Sequence, residues 1–165
     1  MIHYAIPCFA LAVLTSLVAP TSQATPSGDT AQGTLVVQAE DKPLHVDLKH
    51  AYLVIGPDAF EPNKTTRRLV FAADDLRATI EACKEIRCAT MISNDGLVLD
   101  LDDAGPRYWA HVQPMQYSGS LDARGLVLRT DSPDRLAGTL KVDNSGVTTT
   151  IEFDAPLVKS FGPVE

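Results

Sequence analysis

Apolar and polar side chains alternate along most of the chain, which is typical of strands that bury one face and expose the other. Near the carboxyl end, Val147, Ile151 and Phe153 share one face, whereas Thr148 and Glu152 lie on the opposite face. Turn-forming residues separate the alternating stretches. The pattern predicts strands at residues 34–38, 44–55, 67–72, 89–92, 97–101, 108–113, 125–129, 136–142 and 147–154.

One segment has helical periodicity instead. Leu76, Ile80, Cys83 and Ile86 recur at the spacing of one helix face, and Asp74 precedes them as a candidate cap. Short strands joined by tight turns imply mainly antiparallel pairing. We therefore expect a mainly β fold, either an antiparallel β-sandwich or a partly open barrel, with one short amphipathic α-helix covering a face or an end. The longest irregular stretches are expected at residues 56–66 and 113–124.

The amino-terminal segment has the composition of an export signal. Residues 5–19 are almost entirely apolar, and the small residues Ser22 and Ala24 follow at the positions expected before a cleavage site. The run is short for a membrane span and contains Pro7. No Lys or Arg precedes it, which departs from the usual signal pattern. The sequence predicts a signal peptide at residues 1–24, a flexible lead-in at 25–32 and a single β-rich domain at 33–165, located in the periplasm or secreted.

The charged residues all lie in the mature part of the chain, and acidic residues outnumber basic ones. Every charged residue follows Ala24, and the net charge is −7. An acidic surface argues against nucleic acid or anionic lipid as the partner, because both require a basic contact surface. We therefore expect the partner to be a protein or a small ligand, and we expect no membrane span once the signal is removed.

Two cysteines remain after removal of the signal. Cys83 and Cys88 form an even pair in an exported chain, for which a disulfide is the simplest interpretation. The alternatives are that the two cysteines form a redox pair, that they form half of a metal site, or that both remain free thiols. The Cys-x₄-Cys spacing differs from the Cys-x-x-Cys of thioredoxin-type sites, and no histidine lies beside the pair.

No motif in the chain indicates catalysis or metal binding. Residues 100–105 resemble the start of an EF-hand loop, but Ala104 and His111 occupy positions where that loop needs oxygen ligands. We therefore expect Asp100 to lie at a solvated strand end that leads into a turn. On a strand, His45 and His50 would point to opposite faces, so they could not hold one ion together. Neither a Gly-x-Ser-x-Gly motif nor a local Cys-His pair is present. We expect no metal, no cofactor and no enzymatic activity.

One strand carries a candidate binding face. A large aromatic beside hydrogen-bonding groups is common in contact surfaces. The alternative is that the helix or a loop covers the aromatic residue of this strand, Trp109. If the alternation holds, Tyr108, Ala110 and Val112 face the core, and Trp109, His111 and Gln113 form the opposite face.

Two short motifs resemble those of small exported bacterial β-domains of uncharacterised function. The first runs from Gly33-Thr-Leu-Val-Val to His50-Ala51-Tyr52, and the second is residues 151–156. The chain departs from the pattern at Asp41, where glycine is usual, and at Leu53, where alanine is usual. The resemblance implies a bacterial envelope or secreted setting, and it implies no activity or site residues.

The leading hypothesis is a non-enzymatic, exported β-domain that binds a protein or a small ligand. A hydrolase with catalytic acids dispersed along the sequence is one alternative, since such acids need not be neighbours in the chain. A structural component of the cell envelope is the other.

Overall fold

The structure is a computed structural model that describes residues 29–40, 42–58, 61, 63–91, 95–101, 105–144 and 146–162. The signal peptide expected at residues 1–24 and the first part of the lead-in, residues 25–28, lie outside the described residues. The rest is mainly β, as the alternation predicted. Neither described helix has the length and apolar content needed to cross a bilayer.

The described elements are ten strands and two short helices. The strands are β1 (Thr30–Val37), β2 (Leu44–Leu48), β3 (His50–Pro57), β4 (Thr65–Ala72), β5 (Gly96–Asp100), β6 (Arg107–Val112), β7 (Met115–Ser120), β8 (Leu126–Ser132), β9 (Arg135–Asn144) and β10 (Val147–Ser160). The helices are α1 (Arg77–Ala82) and α2 (Ile86–Thr90).

All ten strands belong to one mixed sheet with the order β2-β1-β10-β3-β4-β5-β6-β7, and β9 joins β10 to β8. The long strand β10 divides the sheet into two halves. Residues 147–154 pair antiparallel with β1, whereas residues 157–160 pair parallel with β3. The other pairs are antiparallel, as expected. The described strands form an open sheet that does not close into a barrel.

The two halves of the sheet face each other across the main core. The rings of Phe71 and Phe153, one from each half, meet edge to face with their centroids 5.3 Å apart. Tyr108 is fully buried between the halves, and its hydroxyl donates to the carbonyl of Asn144 at 3.2 Å. The fold is thus sandwich-like, with one apolar layer between two parts of a single sheet.

A second core lies on the opposite face of β3 and β4. Tyr52 and Val70 contribute to it from the sheet, and Ile80 and Ile86 contribute from the two helices. Phe161, just after β10, completes the cluster. Because β3 and β4 are covered on both faces, their side chains are buried on both sides and do not alternate.

Several strand boundaries differ from the prediction. The strand expected at 44–55 is two strands, which are separated at Lys49. The carbonyl of Lys49 accepts a hydrogen bond from the Ala31 N–H, and the N–H of Lys49 donates to the carbonyl of Ala72. The chain therefore passes at Lys49 from one half of the sheet to the other. The segment 113–124, expected to be irregular, contains β7, which pairs with β6 along its whole length. The lead-in expected to extend to residue 32 is shorter, because Thr30 already pairs with Asp154.

The helical segment also differs from the prediction. The single helix expected over residues 74–86 is two helices, interrupted at Cys83, which is extended with φ −63° and ψ 141°. Asp74 does not cap α1, whose first residue follows Leu76 without a side-chain cap. The prediction of a strand at 89–92 was wrong for residues 89 and 90, which belong to α2. Residue 92 lies outside the described residues. Ala89 follows Ile86 by three positions and is buried in the same cluster, so the helical period continues through it.

Candidate functional site

Strand β6 divides its side chains between two faces as the alternation predicted. Tyr108, Ala110 and Val112 are buried in the main core. Trp109 and His111 lie half-buried on the opposite, outer face. Gln113, predicted to share that face, follows the end of the strand and is exposed in the turn before β7, where its N–H donates to Asp95 Oδ1 at 2.9 Å.

The strand register shows which residues surround Trp109. On β7, Ser118 lies directly opposite Trp109 and Gln116 lies opposite His111. On β5, Val98 lies opposite Trp109. Residues directly opposite each other in adjacent strands are in contact distance on one face of the sheet. We call the outward-facing residues of the two strands the Trp109 face: Arg107, Trp109, His111, Gln116, Ser118 and Ser120.

The helices leave this face uncovered. The described members of the helical core cluster come from β3, β4, α1, α2 and the end of β10, with Val98 of β5 at its margin. Within the described residues, therefore, the helical cover stops one strand short of Trp109. Gln116, Ser118 and Ser120 are exposed. The Trp109 face consequently combines a partly exposed indole with small polar side chains.

His111 places an unsatisfied polar atom at this face. Its Nδ1 is buried and has no hydrogen-bond partner among the described residues. A buried nitrogen without a partner costs free energy. Because Nδ1 is shielded from solvent, it lies beneath the Trp109 face and is not itself a contact for a ligand.

A buried ionic cluster borders the face. Thr66 Oγ1 donates to Asp100 Oδ1 at 2.5 Å, and Arg68 Nε donates to Asp100 Oδ2 at 3.0 Å. Both carboxylate oxygens are therefore engaged. Arg107 of the Trp109 face lies opposite Asp100 on the next strand. The cluster fixes the end of β5 beside the candidate site.

The sequence did not predict this cluster. Asp100 was assigned to a solvated strand end, but the residue is only 2% exposed. The assignment was wrong because the alternation argument assumed that one face of β5 meets water. A pairing of Arg68 with Asp100 follows only from the antiparallel register of β4 and β5.

The other candidates for chemistry are not brought together. His45 lies on β2, His50 on β3 and His111 on β6. The described residues contain no cluster of three or more His, Cys, Asp or Glu side chains that could hold a metal ion. Residues 102–104, which belong to the segment compared with a calcium loop, lie outside the described residues.

Asp75, elsewhere in the fold, accepts hydrogen bonds from the Arg77 N–H and the Tyr52 hydroxyl, and these contacts lower its pKa.

The expected disulfide between Cys83 and Cys88 is present. It connects the end of α1 to α2, because Cys88 is helical. The ammonium group of Lys159 donates to the carbonyls of Glu81 at 2.7 Å and Cys83 at 2.5 Å. These contacts attach the disulfide segment to β10.

The comparisons add no relative from which a role could be transferred. A search against protein-family models, curated proteins and solved structures finds no match to this chain.

Proposed function

We propose that the protein is a non-enzymatic binding domain of the periplasm or the cell exterior, and that it holds a protein or small ligand on the Trp109 face. The observation on which the proposal rests is that Trp109 is partly exposed on a part of the sheet that the helices leave open. Indole rings with polar neighbours are favoured in contact surfaces because they offer both apolar area and a hydrogen-bond donor.

The composition of the face fits reversible recognition. Ser118, directly opposite Trp109, has a short, exposed side chain, and Trp109 is itself partly exposed. The exposed side chains of Gln116, Ser118 and Ser120 supply donors and acceptors. A ligand with one flat apolar surface and several hydrogen-bonding groups would match this arrangement.

The exported setting is supported by two features. The apolar segment at residues 5–19 has signal-peptide character, and the Cys83–Cys88 disulfide suits an oxidising compartment. The net charge of −7 favours a neutral or basic partner over an acidic one.

The test uses the fact that Trp109 is the only tryptophan of the chain. The purified protein is immobilised to capture components from an extract of the source cells, and each eluted component is then titrated against the free protein. A ligand of the Trp109 face should shift or quench the tryptophan emission in a saturable way. The Trp109→Ala variant should lose capture of the same component.

Val127→Ala is the matched control, since Val127 is an exposed apolar residue on β8 that is 58% accessible. It should bind as the unchanged protein does. Saturable binding that Trp109→Ala leaves intact would contradict the proposed site. Turnover of ester, glycoside or peptide substrates that one Asp or Glu substitution abolishes would overturn the non-enzymatic function.

A further inference from the structure

Three described strands, β2, β7 and β8, pair with a neighbour on one side only. An edge strand presents main-chain N–H and C=O groups to solvent and can pair with another chain. Proteins usually protect such edges with charged side chains, proline, bulges or very short strands. The three edges of this sheet differ in how far they are protected.

Strands β2 and β8 carry these protective features. Strand β2 has only five residues, follows Pro43 and exposes the charged Asp47. Strand β8 exposes Arg129 and Asp131. Its pairing with β9 also shifts register between Leu128 and Thr130, which disrupts a regular edge. Neither strand offers a straight, uncharged ladder to a second chain.

Strand β7 follows Pro114, as β2 follows Pro43, but it has neither a charged side chain nor a register shift. Its sequence, Met-Gln-Tyr-Ser-Gly-Ser, contains no charged residue and no proline. Its pairing with β6 is continuous over six residues, without a register shift. The side chains nearest its exposed edge are therefore compatible with the approach of another strand.

The hydrogen-bond pattern shows which main-chain groups β7 presents. The N–H of Leu121, just after the strand, donates to the carbonyl of Pro106 at 2.8 Å. In an antiparallel ladder the residues bonded to the neighbour alternate with residues whose groups point away. Since Leu121 is bonded to the β6 side, Gln116, Ser118 and Ser120 direct their N–H and C=O groups outward.

We propose that β7 pairs antiparallel with β7 of a second copy of this chain, about a two-fold axis at Ser118. The two sheets then become continuous, and the outward groups of the two strands form about six main-chain hydrogen bonds. Ser118 faces its counterpart, and Gln116 of each copy faces Ser120 of the other.

A second copy fits this edge because the pairing is self-complementary. The net charge of −7 on each chain opposes association, so a dimer requires a contact where charged side chains do not meet, and it should strengthen as salt is added. Along β7 every facing pair is uncharged. The pairing would also join the two Trp109 faces, placing the two Trp109 positions three strand spacings, or about 14 Å, apart. The inference depends on the main chain of β7 and holds whether or not Trp109 binds a ligand.

The test is the mass of the purified protein in solution, measured by sedimentation equilibrium over micromolar to millimolar concentration. Dimers are expected for the unchanged protein. Ser118→Lys and Ser118→Glu each place like charges at the axis and should each weaken the dimer more than about tenfold. An equimolar mixture of the two variants should form mixed dimers, because the facing charges are then opposite.

Thr130→Lys, on the exposed edge strand β8, is the matched control and should dimerise as the unchanged protein does. Far-UV circular dichroism verifies that each variant keeps its β fold. An unchanged protein that remains monomeric over the whole range would overturn the proposal. So would a dimer that persists in both Ser118 variants, or charged variants whose mixture stays monomeric.

Discussion

The Tyr52 hydroxyl donates a hydrogen bond to Asp75 Oδ1 at 2.7 Å and accepts one from the Leu76 N–H at 2.9 Å. It thereby fixes the residues that lead into α1 to the buried strand β3. Burial, together with the hydrogen bond to Asp75, raises the pKa of Tyr52. The phenol therefore stays protonated and acts as a neutral connector between the sheet and the helical layer.

Replacing Tyr52 by Phe should destabilise the fold. The substitution leaves the buried Leu76 N–H without its partner, for which a cost of about 1–3 kcal/mol is expected. Urea unfolding measures this cost. Tyr117→Phe is the control, since its hydroxyl bonds the Gln38 carbonyl at an exposed site and its loss should cost less. Equal effects of the two substitutions would contradict the anchoring role.

Asp75 should make stability depend on pH. The Arg77 N–H, followed by the Tyr52 hydroxyl, lowers the pKa of Asp75 below its ordinary value of 3.8. Ionised Asp75 thus favours the folded state above that ordinary value, and the contribution is lost as the pH falls through the lowered pKa. Urea midpoints of the unchanged protein and Asp75→Asn should differ at neutral pH and converge in strong acid. A difference that stays constant with pH would refute this.

The pair of Arg68 and Asp100 should show strong energetic coupling. Their side chains are 9% and 3% exposed, so removing one partner leaves a buried charge uncompensated, at a cost of about 3–5 kcal/mol. Arg68→Met and Asp100→Leu should each approach this cost. The double variant should lose clearly less than the sum, although Thr66 also loses its acceptor. Additive losses in the double-mutant cycle would show that the pair is not coupled.

The sequence predicted the elements whose residues obey a single period. The alternation located β4, β5, β6 and β9 to within a few residues, because each buries at least one regular face. It failed at Lys49 and in the helical segment. At Lys49 the chain changes from one half of the sheet to the other without losing its apolar pattern, and at Cys83 the apolar period continues across a break in the helix.

The candidate site was only half predictable for a similar reason. Trp109 and His111 share a face because they are two positions apart on one strand, which the sequence alone can show. Gln116 and Ser118 join them only through the register of β6 and β7, which one sequence does not reveal. The burial of Asp100 likewise depends on cover that comes from elsewhere in the fold.

The disulfide should act as a local clamp. It closes a loop with a sequence separation of only 5, so replacing both cysteines by Ala should cost about 2 kcal/mol on the chain-entropy estimate. Urea unfolding of the double variant measures this loss. The fold itself should persist, because Ile80 and Ile86 still pack against β3 and β4. Global unfolding of the variant under native conditions would show that the helical layer depends on the bond.

Gly119 should tolerate no side chain. It lies opposite Tyr108 in the ladder, and a Cβ added there would stand 2.8 Å from the Tyr108 hydroxyl oxygen and 2.9 Å from its Cζ. The ring of Tyr108 is fully buried and its hydroxyl is bonded to Asn144, so it cannot turn aside without losing packing and the hydrogen bond. Gly119→Ala should therefore cost about 1–3 kcal/mol in urea unfolding. Gly162→Ala, where a Cβ meets nothing within 4 Å, should cost little. Matching losses at the two glycines would mean that β7 can move away from Tyr108, and that the close packing of these strands does not hold β7 in place.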